Sequence, residues 1–134
     1  MEAVTKMINI IERVAIGTTS RETAIMRLLQ LDLLPNENKF KTAIIEMVRK
    51  LPRVSIAEDT NEFELSTRYI DPFLCGLFDD PDKGIFLRWT NETTLEARKH
   101  EGFSTIRPNL TISSLHGMKW KMTYGYGEAK SAAQ

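Results

Sequence analysis

At Ile85 the spacing of apolar residues changes from three and four to two, and this switch constrains the fold more than anything else in the chain. Upstream the apolar positions recur as one face of a helix; downstream they alternate with polar ones, as one face of a strand. Helices gathered at one end of a chain and strands at the other do not interleave into a parallel sheet, which needs a helix between successive strands. The expected class is therefore α+β: an amino-terminal helical module, then a helix and an antiparallel meander of strands.

Val4, Met7, Ile8, Ile11, Val14 and Ala15 form the first helical stripe, which Gly17 should end. Ser20 is placed to cap a second helix carrying Ala24, Ile25, Leu28 and Leu29, with Thr23 where a capping box would have Glu. Pro35 and Asn36 break the pattern. A third helix should start near Asn36 or Asn38, bury Phe40, Ile44, Ile45, Met47 and Val48, and stop ahead of Pro52. These three helices define a module over residues 1–56, expected to pack chiefly on itself. A helix-turn-helix DNA reader would need a basic, polar second helix, yet residues 1–60 hold nine basic and eight acidic side chains and the second helix only Arg21 and Arg27. A core-forming or partner-binding module fits better.

The second expected unit spans residues 61–134. Leu65, Tyr69, Ile70, Phe73, Leu74, Leu77 and Phe78 form another helical stripe, in which Pro72 either kinks the helix or begins a fresh turn capped by Asp71. Asp79-Asp80-Pro81-Asp82-Lys83-Gly84 has turn composition, and its acids lack the spacing of an EF-hand loop. Residues 85–90, 106–112 and 119–126 have strand composition, with a polar loop containing one helical turn over 91–102 and a short link at 115–118. The last two strands should pair as an antiparallel hairpin.

With 134 residues and 42% apolar content, the chain is one domain, or a small module joined to part of another. No apolar run is long enough to span a bilayer and no leader pattern stands at the start, so an intracellular protein without a membrane partner is expected. The single cysteine, Cys75, lies in an apolar pattern and reads as a packed thiol. Net charge is zero but uneven: residues 58–82 carry eight acids against Arg68, a net of −7, and residues 104–134 carry a net of +3. Such a pair of segments suits either a metal site beside a phosphate-binding surface or plain solvated faces. His100 and His116 are isolated and read as surface residues; Trp89 and Trp120 read as core. Two Asn-x-Thr sequons, at Asn91 and Asn109, would stay unmodified without secretion.

The candidate chemistry is at the carboxyl end. Arg107-Pro108-Asn109 opens one strand, and Glu128-Ala129-Lys130 follows on the next, 19 positions later, directly after Gly125-Tyr126-Gly127. In a strand, residues two apart share a face, so Glu128 and Lys130 should point together. The combination resembles the restriction-endonuclease-like, PD-(D/E)XK superfamily of nucleases. More loosely, residues 61–134 resemble a group of often fungal proteins that share Thr67-Arg68-Tyr69-Ile70-Asp71-Pro72 and the Gly-Tyr-Gly-Glu-Ala-Lys run. The resemblance implies a partial restriction-endonuclease-like core with Mg²⁺ held by Glu128 and position 109, Glu64 assisting from the preceding helix, and Lys130 at the attacking water. Gly125 and Gly127 would let a nucleic-acid backbone approach. Asn109 stands where the superfamily has Asp and lacks its charge, and the chain stops four residues past Lys130, so the implied nuclease is degenerate or truncated, with weak or no phosphodiester hydrolysis. The alternative is a non-catalytic protein-interaction domain that uses the amino-terminal helices, with Glu-x-Lys incidental. A nucleic acid or a protein is the implied partner, and nothing in the pattern specifies an oligomeric state.

Overall fold

The computed structural model describes residues 2–99 and 107–130 of the chain. It is α+β, as the switch of period implies: helices up to Phe78, then a three-stranded antiparallel sheet. Two compact units divide it, Met1–Leu77 and Phe78–Gln134. The module expected over residues 1–56 lies within the first; the segment 61–134 is shared between them. No described helix is long and apolar enough to cross a membrane.

The first unit contains α1 (Glu2–Ala15), α2 (Arg21–Leu29) and α3 (Pro35–Lys50), then α4 (Glu62–Glu64), which runs through a π-helical turn (Leu65–Ile70) into α5 (Asp71–Phe78). Gly17, at φ +78°, ends α1 as expected, and Thr18 and Thr19 donate their N–H groups to the Arg13 carbonyl at 3.0 and 3.1 Å. Ser20 caps α2, its Oγ accepting the Thr23 N–H at 3.1 Å. Helix α3 starts at Pro35 rather than at Asn36 or Asn38, because proline's missing donor is no loss in a first turn, where that N–H has no helical partner. Glu37 completes the start by accepting the Leu34 N–H at 3.0 Å. The far end of α3 is closed from another helix: the Arg21 guanidinium donates to the Val48 carbonyl and, at 2.6 Å, to that of Leu51.

Pro72 does not stop the helix. In an α-helix its ring would press on the carbonyl four residues back, and the π turn ahead of it widens the backbone there, Asp71 N–H reaching five residues back to the Ser66 carbonyl.

The core of this unit is Met7, Val14, Ala24, Leu28, Ile45 and Val48, flanked by Ile10, Ile11, Ile25, Leu31, Leu33 and Ile44. It is narrower than the apolar stripes. Val4, Ile8 and Leu29 are exposed, since the first three helices seal only the seams between them and leave the margins of each stripe wet. Lys41, by contrast, is buried, its Nζ donating to the Leu31 carbonyl at 3.1 Å. Helices α3 and α5 approach so closely that a Cβ on Gly76 would lie 2.7 Å from both Cα and N of Ala43.

The second unit opens on the acidic turn. Asp79 accepts the Leu87 N–H at 2.5 Å, Asp80 exchanges two backbone hydrogen bonds with Ile85, and Gly84, at φ +68°, turns the chain into β1 (Ile85–Trp89). After α6 (Leu95–Lys99) come β2 (Leu110–His116) and β3 (Lys119–Gly127), in the sheet order β1-β2-β3 with both pairs antiparallel. The expected hairpin forms with a later start. Residue 106 lies outside the described residues, and β2 begins at Leu110 instead, because Pro108 has no N–H for a ladder. The strand then runs to His116, and the link shrinks to Gly117-Met118, with Gly117 at φ +60° in the first position of a two-residue turn. Two register shifts, after Ile112 and after Ser114, mark bulges on β3.

Candidate functional site

Asn109 and the Glu128-Ala129-Lys130 triplet meet at one end of the sheet, where β2 begins and β3 has just ended, but they meet through the backbone. Asn109 Oδ1 accepts the Ala129 N–H at 3.1 Å, Nδ2 donates to Asn91 Oδ1 at 2.9 Å, and its carbonyl accepts the Thr90 N–H at 3.1 Å. One asparagine thus ties together three pieces of chain: the loop at 90–91, the start of β2 and the segment after β3. Ala129 is buried, while Glu128 and Lys130 on either side of it are exposed and pair with each other at 3.4 Å. The shared face expected from their spacing is present; what it holds is an ion pair in water, worth little to stability.

This donor set does not fit a hard divalent cation. Magnesium binds through several oxygens with negative charge among them, whereas here one carboxylate has an ammonium beside it and the amide oxygen of Asn109 already accepts a hydrogen bond. Among the described residues no group of three or more His, Cys, Asp or Glu side chains is placed to share an ion. Glu64 is in the first unit, exposed in the opening turn of its helix, its N–H capped by Asn61 Oδ1 at 2.8 Å. At Gly125 and Gly127 a Cβ would meet the side chains of Ile112 (3.7 Å) and Leu110 (3.5 Å), which reach across from β2, at ordinary contact distance.

His116 is the exposed last residue of β2, and His100 lies outside the described residues. Trp120 is half-buried: Phe86 meets it edge-on at 5.7 Å and the Arg88 guanidinium lies 3.9 Å from its ring centre. That stacking covers one face of the ring with a cation. Beside it the cleft lined by Arg88, Thr111, Ser113, Thr123 and Arg98 encloses about 10 Å³, room for a water and too little for a nucleotide.

Strand β3 is an edge, and α6 shields it. Glu96 Oε1 accepts the Thr123 N–H at 2.9 Å, while the Leu95 N–H reaches Thr123 Oγ1 at 3.4 Å. Burial pushes the Glu96 carboxyl up, but the Thr123 N–H, its own N–H, the Thr123 hydroxyl and Lys99 together outweigh that and hold it below its ordinary value of 4.5. A folded value below the unfolded one means that the stabilisation is fully present above the unfolded value and is lost as pH falls through the folded one. Thermal melts from neutral pH downward should therefore show wild type more stable than Glu96→Gln at neutrality and the two curves converging in acid. A constant offset at every pH would contradict this origin.

A groove with a mainly apolar lining is elsewhere, in the first unit. Between the carboxyl-terminal halves of α1 and α3, a groove of about 300 Å³ is floored by Ile11, Val14, Ile44, Met47 and Val48, and Arg21 and Arg53 also line it. Neither arginine is paired with a carboxylate among the described residues; Arg21 points its donors at backbone carbonyls. The sequence held a signal for this groove: the stripes of α1 and α3 are wider than the seam between the helices can bury.

No protein-family model, curated protein or solved structure matches the chain.

Proposed function

We propose that this chain is a non-catalytic protein-interaction domain, whose amino-terminal helices hold an apolar, acid-bearing segment of a protein partner in the groove between α1 and α3. The observation that carries this is the groove itself: apolar side chains from two helices leave a concave space, and two cations without carboxylate partners among the described residues line it. Apolar burial would supply affinity there, and the arginines would select acidic over basic segments. A panel of fluorescein-labelled synthetic amphipathic peptides, acidic and basic, read by anisotropy, tests it. Acidic peptides should bind, Met47→Glu should weaken binding at least tenfold, and Arg53→Glu, an exposed change that leaves the fold intact by circular dichroism, should abolish the preference for acids. Equal binding of acidic and basic peptides, or no effect of Met47→Glu, would count against the groove.

The second reading is a degenerate magnesium-dependent nuclease at Asn109, Glu128 and Lys130. It has in its favour that Asn109 and the triplet come together at one end of the sheet. Calorimetric titration with Mg²⁺ separates the two. An interaction domain should show equal, negligible binding in wild type and Asn109→Asp; a latent metal site should gain affinity of about 1–3 kcal/mol with the added carboxylate. Cleavage of plasmid DNA by wild type, lost in Glu128→Ala, would establish the nuclease.

A further inference from the structure

We infer that the occupant of the groove between α1 and α3 is the segment 58–64 of a second copy of this chain. The inference rests on the groove being a protein-binding site, and it names the partner. After α3 the chain leaves Leu51, Val54 and Ile56 exposed, and then Phe63, 78% exposed, in the opening turn of α4. A phenyl ring held in water at that level stabilises nothing within its own copy. The turn that carries it is nevertheless fixed, Asn61 Oδ1 capping the Glu64 N–H at 2.8 Å, so Phe63 is presented rather than left on a loose tail.

The charges match as well. Residues 58–64 carry Glu58, Asp59, Glu62 and Glu64 and no basic side chain, and Phe63 lies between the last two acids. The groove offers the complement: an apolar floor that would take the ring, with Arg21 and Arg53 beside it. Acids flanking Phe63 would meet these arginines as the ring enters. Apolar insertion then provides the affinity and the ion pairs set its orientation and its salt dependence.

Groove and segment both belong to the unit Met1–Leu77. Each copy can therefore donate its Phe63 and receive its partner's about one two-fold axis, and this reciprocal exchange closes the assembly at two copies instead of propagating a chain.

Sedimentation velocity across a wide concentration range tests the inference. Wild type should pass from monomer to dimer as concentration rises and should dissociate more readily at high salt. Phe63→Ala and Met47→Glu should each be monomeric where wild type is dimeric, with dissociation constants raised at least tenfold. The discriminating measurement is the mixture of these two variants: Phe63→Ala keeps an intact groove and Met47→Glu keeps an intact Phe63, so together they restore one of the two contacts. The mixture should form heterodimers that neither variant forms alone, which also shows that both are folded. A wild type that stays monomeric throughout, or a Phe63→Ala that dimerises like wild type, would overturn the inference. If acidic peptides still bind the groove in that case, the interaction domain stands and only the identity of its partner is wrong; if they do not bind either, both fall.

Discussion

Leu28→Ala should lower the free energy of unfolding of the first unit by about 3 kcal/mol, with a drop in melting temperature of roughly 12–24 °C. Leu28 has no exposed surface and sits in the cluster formed by Met7, Val14, Ala24, Ile45 and Val48, to which all three of the first helices contribute. Truncation removes the transfer energy of the lost carbons and leaves a cavity that helices held on several sides cannot close. Leu29, the next residue, is 60% exposed, and Leu29→Ala should change stability by less than about 1 kcal/mol. Chemical denaturation followed by far-ultraviolet circular dichroism measures both, and comparable losses at the two positions would mean that α2 is rotated from the orientation described.

Gly76→Ala should destabilise the same unit by roughly 2 kcal/mol, although alanine is the better helix former by about 1 kcal/mol. The added methyl would stand 2.7 Å from the Cα and N of Ala43, and a backbone contact cannot be relieved by turning a side chain. Helix α5 would have to move away from α3, loosening the packing around Ala43, which is fully buried. Ala43→Gly should not rescue the variant, because the two nearest atoms belong to the Ala43 backbone and remain. A Gly76→Ala protein as stable as wild type would show that the two helices are not in such close contact.

Much of the fold was legible because its signals are local. The change of period at Ile85, the glycine at 17, the cap at Ser20 and the alternation in residues 119–126 each act within a few residues of themselves, so reading along the chain finds them. The misplacements have equally specific causes. The start of β2 depends on Pro108, which cannot donate to a neighbouring strand, and the continuity of the helix through Pro72 depends on a π turn that absorbs the clash.

The candidate site divides in the same way. That Asn109 and the Glu128-Ala129-Lys130 triplet come to the same end of one strand pair followed from their spacing, although both lie just outside the strands, β2 starting at Leu110 and β3 ending at Gly127. That the Asn109 amide holds the Ala129 N–H and the Asn91 side chain, leaving Glu128 to pair with Lys130, depends on the register of three segments far apart in the chain. The α1–α3 groove shows the limit most clearly. Periodicity tells which residues of a helix are apolar, but which of them are buried is set by how many neighbours that helix acquires and at what spacing. Local hydrogen bonding and apolar period thus dictate the helices, the strands and the class of the fold, while burial, the wiring of Asn109 and the open groove are products of packing between segments, which no single stretch of residues encodes.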